Sequence, residues 1–300
     1  MKQGIWKVNS TKENSVEIIR TRSELQARVR AWKQAGETVG FVPTMGALHE
    51  GHLSLIEKAK EKVTRTVASI FVNPAQFAPG EDFDTYPRRE AEDIAKLASV
   101  NCTAVYLPTV AEMYPEGSVT NVRVESMSDL LDGIYRPHFF YGVATVVARL
   151  FLHAQPDVAV FGEKDYQQLQ VIRRMVRDLG FPIEIIGGET KRDADGLAQS
   201  SRNLYLSPEE RRAAGAIFAA MHRASVRLAL GALPSEALKE AEGHIVTAGF
   251  RKIDYVTLVD PATLQALPTD EPMKEGAAAR LLAAAWLGKT RLIDNISVTR

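Results

Sequence analysis

The sequence predicts an α/β protein with a parallel sheet, followed by a smaller α+β domain. Short apolar runs alternate with amphipathic helical patterns between residues 39 and 186, which is typical of parallel strands joined by crossover helices. The pattern changes after a polar, glycine-bearing stretch at residues 187–196. A chain of 300 residues is long enough for about two domains. We therefore place the first domain at residues 1–188 and the second at residues 189–300.

The first domain contains five predicted strands and four predicted helices. The strands are apolar runs at residues 39–42, 66–71, 103–107, 158–161 and 183–186. The helices have apolar residues at helical spacing and cover residues 51–62, 89–98, 142–153 and 165–179, where Gly180 and Pro182 end the last one. Ligands of parallel sheets bind beyond the carboxyl ends of the strands. The loops that follow these strands are therefore the expected location of a ligand site.

The second domain begins with a clear helix signal at Ser207-Pro208-Glu209-Glu210. A serine N-cap, a proline in the first turn and acidic residues near the positive end of the helix dipole all favour a helix start. We expect this helix to reach about residue 230 and a second helix to cover residues 235–248. Residues 253–259 predict a strand, and residues 279–286 and 291–296 predict a hairpin. The alanine-rich stretch 281–286 fits a helix equally well by propensity.

Composition excludes several classes of protein. Lys plus Arg and Asp plus Glu both number 37, so the chain lacks the global basic excess that is typical of nucleic-acid binders. The sequence has neither an apolar run long enough to span a bilayer nor the apolar core of a signal peptide. Its single cysteine, Cys102, excludes an internal disulfide and fits a reducing compartment. We expect a cytoplasmic protein with small-molecule substrates and neither nucleic acid nor membrane as a partner.

The most informative segment is Pro43-Thr44-Met45-Gly46-Ala47-Leu48-His49-Glu50-Gly51-His52, which joins the first predicted strand to the first predicted helix. Free backbone N–H groups at a helix start bind anions, and two histidines three residues apart add donors on the same face. The segment therefore predicts a polyphosphate site. Alternatively, it is an ordinary glycine turn in which a histidine caps the helix. A zinc site is less favoured, because the zinc motif on a helix places its histidines four residues apart.

Two further polar loops follow predicted strands. Asn73 and Gln76 are neutral amides suited to hydroxyl groups or a carboxylate, although Asn-Pro is also common in ordinary turns. In the segment Gly162-Glu163-Lys164-Asp165-Tyr166-Gln167-Gln168, the glycine allows a ligand to approach the backbone and the lysine supplies a flexible positive charge. Asp165 is a candidate helix cap there, and Gln168 should face the same side. A capped helix with a surface lysine is the structural alternative.

A third polar loop, Ser200-Ser201-Arg202, opens the second domain. An arginine grips phosphate oxygens bidentately, so this loop predicts a mobile clamp that closes over a phosphate. Taken alone, the same three residues also fit a helix cap or a solvated loop.

The first motif resembles the HIGH motif of nucleotidylyltransferases and class I aminoacyl-tRNA synthetases. All the motifs together, with Thr290-Arg291-Leu292-Ile293-Asp294-Asn295-Ile296 near the carboxyl end, resemble the pantoate–β-alanine ligase family over about residues 16–296. The resemblance implies a Rossmann-like nucleotide-binding domain followed by a smaller lid domain, and a homodimer. It implies a two-step reaction in which pantoate is adenylated by ATP and the adenylate is then attacked by β-alanine. It also implies Mg²⁺ held mainly by the ATP phosphates, without a metal site built from protein side chains.

The resemblance also implies roles for individual residues. His52 is the expected catalytic proton donor, and His49 and Lys164 are expected to assist at the phosphates. Pantoate and β-alanine are expected at Gln76, Gln168, Asn73 and Tyr86. The expected ATP-binding residues are Met45, Gly46, Ala47, Leu48, His49, Glu50, Gly51, His52, Gly162, Glu163, Lys164, Asp165, Lys191, Gln199, Ser200, Ser201 and Arg202.

Some positions depart from the family pattern. In Arg136-Pro137-His138-Phe139-Phe140, Phe139 stands where the family usually has the histidine of this motif, so His138 is expected to be an ordinary loop residue. Lys191 and Gln199 replace apolar residues and should tune affinity. No role is assigned to residues 1–15. Two rival functions remain open, namely another nucleotidylyltransferase that acts on a phosphate acceptor and a noncatalytic nucleotide sensor.

Overall fold

The computed structural model describes residues 15–78 and 80–300. In the first domain, six parallel strands form one sheet in the order β1-β4-β3-β2-β5-β6. No role is assigned to residues 1–15, and residues 1–14 of this stretch lie outside the described part of the chain. The strands are β1 (Glu17–Ile19), β2 (Val39–Thr44), β3 (Arg65–Ile70), β4 (Ala104–Tyr106), β5 (Val158–Gly162) and β6 (Glu184–Gly188). The predicted parallel sheet is therefore confirmed.

Helices cover both faces of this sheet. They are α1 (Arg22–Gln34), α2 (Glu50–Lys60), α3 (Glu90–Ser99), α4 (Val110–Met113), α5 (Asp132–Tyr135), α6 (Phe139–Ala154) and α7 (Tyr166–Leu179). Successive strand residues point to opposite faces. Phe41 therefore packs in one core with residues of α1, α6 and α7, whereas its neighbour Val42 packs in another core with residues of α2 and α3. The result is a three-layer arrangement in which the strand ends converge at one edge.

The second domain has its own hydrophobic core, which draws on residues from Leu197 onwards. Three helices, α8 (Pro208–Ala214), α9 (Ala216–Ala229) and α10 (Pro234–Thr247), pack on a three-stranded antiparallel sheet formed by β7 (Lys252–Val259), β8 (Ala278–Leu287) and β9 (Thr290–Thr299). The predicted hairpin is confirmed, since Leu287 pairs with Thr290 across its turn. The α+β character predicted for this domain is confirmed as well.

Several predicted elements differ from the observed ones. The single helix expected from Ser207 to about residue 230 is two helices, because the chain is interrupted at Gly215, where a Cβ would lie 2.7 Å from the carbonyl oxygen of Asp195. Residues 281–286, which also fitted a helix, belong to strand β8. Strand β1 and the helices α1, α4 and α5 were not predicted. The other predicted strands and helices are present, with ends that differ by up to three residues.

The order of the strands determines where a ligand can bind. Strands β3 and β4 lie on one side of β2, and strands β5 and β6 lie on its other side. The direction of the strand order therefore reverses between β2 and β5, which are neighbours. Ligands of open parallel sheets bind in the crevice at this reversal, beyond the carboxyl ends of the strands. The loops after β2 and β5 flank that crevice.

Candidate active site

The loop between β2 and α2 is held by the buried side chain of Asp93 on α3. One carboxylate oxygen accepts the backbone N–H of Ala47 at 2.9 Å, and the other accepts that of Leu48 at 2.7 Å. Gly46 has a φ of 89°, and a Cβ there would lie 3.1 Å from Asp93 Oδ2, so glycine is required for two reasons. Lys96 donates to the carbonyl oxygen of Leu48 at 2.7 Å. Sequence reasoning missed Asp93 and Lys96.

His49 and His52 lie together at the start of α2, with their ring centroids 4.1 Å apart. His49 is the N-cap, and its Nδ1 accepts the backbone N–H of Gly51 at 3.2 Å. The Nδ1 atom of His52 accepts the backbone N–H of His49 at 3.3 Å. Each Nδ1 is therefore an acceptor, so the proton of each neutral ring lies on Nε2. Both the capping interpretation and the predicted pair of donors fit this geometry.

The electrostatic surroundings keep both imidazoles neutral. Burial, aided by the positive charge of Lys164, lowers the pKa of His49 to about 4. Burial and the neighbouring His49 lower the pKa of His52 to about 3, and the charge of Lys164 acts in the same direction. The positive charge of Lys164, on the loop after β5, thus acts on both rings. The start of α2 therefore carries two neutral imidazoles whose Nδ1 atoms are engaged by backbone N–H groups.

A second cluster consists of amide side chains after β3. Asn73 is buried and donates from Nδ2 to Gln76 Oε1 and to the carbonyl oxygen of Gly142, each at 3.1 Å. Gln76 Nε2 lies 2.8 Å from the sulfur of Met45, which connects this cluster to the loop after β2. The hydroxyl of Tyr114, a residue that sequence reasoning missed, donates to Asn73 Oδ1 at 2.7 Å. The side chains of this cluster carry no formal charge, and Arg136, which is paired with Glu81, donates to the backbone carbonyl oxygen of Gln76 at 3.3 Å.

The loop after β5 carries Lys164, whose ammonium lies 3.5 Å from the carboxylate of Asp165. Asp165 occupies the N-cap position of α7, but its side chain makes no capping hydrogen bond, so the expected cap is wrong. A small cavity beside this loop is lined by Lys164, Asp165 and Gln168 among others, so these three lie together. A Cβ on Gly162 would contact only Leu55, at 3.9 Å, which leaves room for a ligand.

Strand β9 of the second domain supports this loop. Asn295 Nδ2 donates to the backbone carbonyl oxygens of Glu163 and Lys164 at 3.0 and 2.9 Å. Arg280 donates to Asn295 Oδ1 at 2.7 Å, and its guanidinium stacks 4.1 Å from the centre of the Tyr166 ring. Asn295 is buried, so these bonds are shielded from water. The family resemblance covers the segment that contains Asn295, but it did not predict that Asn295 binds the loop of Lys164.

The predicted clamp in the second domain contacts the first domain. Arg202 donates to both carboxylate oxygens of Asp82 at 3.2 and 3.1 Å. The hydroxyl groups of Tyr86 and Ser201 lie 3.0 Å apart, within hydrogen-bonding distance. The clamp is therefore closed onto the segment around residues 82–86.

Gln199 makes a separate contact between the domains. Its Oε1 accepts the backbone N–H of Gly51 at 3.1 Å, and its Nε2 donates to Asp193 at 3.1 Å. It therefore lies directly at the start of α2, next to the two histidines. Among the other residues predicted for ATP, the backbone carbonyl of Lys191 accepts the N–H of Gln199 at 2.9 Å, and the side chains of Lys191 and Glu50 are exposed.

Between the domains lies a cavity of about 930 Å³, a volume suited to a small-molecule ligand. Its walls include Lys164 and Asp165 from the first domain and Ser200 and Arg202 from the second. His138 precedes α6 with an exposed side chain, which agrees with its interpretation as a loop residue. In the described ranges 15–78 and 80–300, no helix is long and apolar enough to cross a membrane.

Fold and site together define a Rossmann-like nucleotide-binding protein with a HIGH-like helix start and a second domain that contacts this helix start through Gln199. The chain matches the model of the Pantoate-beta-alanine ligase family over residues 17–297, and it belongs to that family.

Two curated relatives cover nearly the whole chain. It is 92% identical to pantothenate synthetase from Hyphomonas neptunium over 98% of this chain and 100% of that protein. It is 55% identical to pantothenate synthetase from Caulobacter vibrioides, over 94% of this chain and 98% of the relative.

Solved structures agree with the fold. The crystal structure of pantothenate synthetase from Thermus thermophilus matches with a TM-score of 0.89 and 47% identity, over 95% of this chain and 100% of that chain. The crystal structure of pantoate-beta-alanine ligase from Francisella tularensis, complexed with beta-gamma ATP and beta-alanine, matches with a TM-score of 0.78 and 33% identity over 94% of this chain and 97% of that chain.

Proposed function

We propose that this protein condenses pantoate with β-alanine at the expense of ATP, through a pantoyl adenylate. A carboxylate oxygen of pantoate attacks the α-phosphorus of ATP, and the bond to pyrophosphate breaks. The amine of β-alanine then attacks the acyl carbon, AMP leaves with the bonding electrons, and the new amide releases a proton. The observation that carries this proposal is the loop after β2, which holds the paired rings of His49 and His52 at its end. Through Met45 the same loop contacts the uncharged amide of Gln76.

His52 and His49 act at the phosphates. Negative charge develops on the phosphate oxygens as pyrophosphate departs, and donors fixed in advance at that position lower the barrier. The Nδ1 atoms are engaged by backbone N–H groups, so the Nε2–H groups are available to the phosphates. In this role His52 stabilises the leaving group as a neutral donor, and any transfer of its proton would occur within that hydrogen bond.

Lys164 and the clamp complete the phosphate site. The ammonium of Lys164 supplies a mobile point charge, and Ser200 and Arg202 line the same cavity from the second domain. Ser201 is assigned beside them, where its hydroxyl contacts that of Tyr86. The backbone of the loop after β5, with Asp165, is assigned to the ribose of ATP. The remaining ATP-binding assignments at residues 45–52, Glu163, Lys191 and Gln199 follow the family resemblance.

The amide cluster binds the acid substrate. Gln76 and Gln168 are assigned to the hydroxyl and carboxylate groups of pantoate, with Asn73 and Tyr86 beside them and β-alanine near Gln76. Neutral amides orient a carboxylate without a fixed cation that would reduce its nucleophilicity. This is the feature that favours a carboxylate acceptor over the phosphate acceptors of other nucleotidylyltransferases.

The ATP phosphates would be the main ligands of a Mg²⁺ ion, which would neutralise part of their charge, and no side chain of this chain is assigned to hold it. Within the described part of the chain, no three His, Cys, Asp or Glu side chains form a group able to hold a metal ion. Asp165 and Asp82, two carboxylates that line the cavity, are engaged by Lys164 and Arg202. The protein is further proposed to be a cytoplasmic homodimer, and these two points rest on the family resemblance and composition.

Isotope exchange tests the reaction order. With Mg²⁺, ATP and pantoate but no β-alanine, the protein should exchange labelled pyrophosphate into ATP, and quenched single turnovers should contain pantoyl adenylate. Adding β-alanine should release AMP and pantothenate in equal amounts. Accumulation of ADP without adenylate would show cleavage at the γ-phosphate and refute the proposal. A sensor would release no AMP, and a transferase to phosphate acceptors would consume no amine.

A further inference from the structure

We propose that Tyr114 is a positioning residue for the acid site, and that it acts through Asn73 to hold Gln76 with its N–H groups toward the substrate. This inference rests on the proposed function of Gln76 in binding pantoate. Tyr114 directly follows α4, which comes after β4, whereas Asn73 and Gln76 follow β3. Strands β3 and β4 are neighbours, so the sheet places the two loops side by side at its carboxyl edge.

The ring of Tyr114 is fixed on two sides. Its centroid lies 6.4 Å from that of Phe71, and the guanidinium of Arg149 lies 4.9 Å from the ring centre. Arg149 is itself anchored by hydrogen bonds to Met113, Ser118 and Thr120. Burial raises the pKa of Tyr114 to about 12, so the hydroxyl keeps its proton at neutral pH. It is therefore a fixed donor to Asn73 Oδ1, at 2.7 Å.

The direction of each amide in this chain of bonds follows from its partners. Asn73 Oδ1 accepts from Tyr114 and from the backbone N–H of Ala75, and a backbone N–H has no other role than donor. Asn73 Nδ2 donates to the carbonyl oxygen of Gly142 and to Gln76 Oε1. The oxygen end of Gln76 is thereby turned toward Asn73. Its Nε2 end is left facing Met45 and the loop after β2.

This orientation matters because an amide turned the other way would present its oxygen to an anionic substrate. Sulfur is a weak acceptor, so the contact with Met45 costs little when a carboxylate or hydroxyl takes its place. Loss of the Tyr114 hydroxyl removes one of the two donors to the buried Oδ1 atom of Asn73 and weakens the hydrogen bonds that connect Asn73 to Gln76. The substrate should therefore lose affinity although Tyr114 does not touch it.

The test compares Tyr114→Phe with Tyr106→Phe. Tyr106 is a matched control, because it is a buried tyrosine whose hydroxyl lies 3.0 Å from His153 Nδ1 and takes no part in the amide cluster. Tyr114→Phe should raise the KM for pantoate about 3- to 10-fold, as loss of one hydrogen bond predicts, while the Kd for ATP changes less than about 2-fold. Tyr106→Phe should change neither value. An equal pantoate KM in the two variants would overturn the inference.

A double-mutant cycle tests whether Tyr114 acts through Gln76. In a Gln76→Ala background, Tyr114→Phe should have no further effect on the pantoate KM, whereas an undiminished effect would contradict the relay. Should Tyr114→Phe not fold, Asn73→Asp provides a second route. It replaces the Nδ2 donor by an oxygen, so Gln76 should turn and the pantoate KM should rise by more than in Tyr114→Phe, whereas an unchanged pantoate KM would contradict the relay. The wild-type exchange reaction tests the proposed function separately, since it does not depend on any of these variants.

Discussion

The carboxylate of Asp93 accepts the backbone N–H of Leu48 at 2.7 Å and so connects helix α3 to the loop that precedes α2. The same carboxylate also binds the N–H of Ala47, a residue with a φ of 50°. Left-handed conformations cost non-glycine residues about 1 kcal/mol or more. The buried charge therefore stabilises a loop conformation that is unfavourable by itself, directly in front of His49 and His52.

Asp93→Asn should destabilise the protein and reduce turnover. An amide retains one acceptor oxygen but places an NH₂ group against one of the two backbone N–H groups. The expected loss of unfolding free energy is about 1–3 kcal/mol, measured by denaturant titration. Glu92→Gln is the matched control, because Glu92 is the adjacent acidic residue and is exposed. A variant within about 0.5 kcal/mol of wild type would show that Asp93 does not support the loop.

His52→Ala should leave the fold intact and lower kcat by roughly 10² to 10³, the usual effect of removing one donor to a transition-state oxyanion. His138→Ala, which removes an exposed histidine outside the site, is the control. Turnover and melting temperature should be measured on the same samples. Near-normal turnover in His52→Ala would remove His52 from the catalytic residues.

Acid should destabilise the protein through its buried histidines. Burial lowers the pKa of His52 to about 3 and that of His153 to about 4, while the unfolded chain titrates near 6.5. Between these values the unfolded state binds more protons, so stability is full above about pH 6.5 and falls as the pH drops toward 4. The slope of the unfolding free energy against pH measures how many more protons the unfolded state binds. Replacing either histidine by Asn should lower that number by up to one.

The two histidine variants should differ in activity. His153 contacts Tyr106 and has no place in the proposed site, so His153→Asn should keep its turnover at pH 7.5 whereas His52→Asn should lose it. Denaturant titrations at several pH values measure the slopes. An unchanged slope in both variants would mean that these side chains are not held neutral in the folded protein.

The sheet was predictable because its central strands are buried on both faces and appear as continuous apolar runs. Strand β1 was missed because it has only three residues, one of them the charged Glu17, and lies at the edge of the sheet. The local pattern did not predict the break at Gly215, and the Asp195 carbonyl that leaves no room for a Cβ there belongs to a different segment. Local patterns thus identify elements, whereas contacts between segments set their ends.

The same distinction applies to the site. His49 and His52 were predictable because one helix start contains both the donors and the backbone groups that orient them. Nothing in the local sequence separates Asp93 from the exposed Glu90 and Glu92 on the same helix. Asn295 lies 131 positions from Lys164, so only the packing of two domains shows that it binds the carbonyl of that residue.

Asn295→Asp should impair the loop that carries Lys164. A carboxylate at this position would face the carbonyl oxygens of Glu163 and Lys164 that the amide now binds. Repulsion should displace Lys164 and lower kcat for pyrophosphate exchange about 10-fold or more, since a buried acceptor left unsatisfied costs about 1–3 kcal/mol. Asn101→Asp, at an exposed position, is the control. Exchange at the wild-type rate in Asn295→Asp would exclude a positioning role for Asn295.

Asp82→Asn should open the clamp of the second domain. Asp82 binds the guanidinium of Arg202 with two hydrogen bonds, and both side chains are partly exposed. Charge-assisted pairs of this kind contribute on the order of 1 kcal/mol, so the open form should become about 3- to 10-fold more populated.

Trypsin cuts after arginine only in exposed, flexible chain, so cleavage after Arg202 should accelerate by the same factor in the absence of substrates. Asp84→Asn, two residues away and exposed, should be cut at the wild-type rate. Equal rates in all three proteins would show that the pair with Asp82 does not hold the clamp closed.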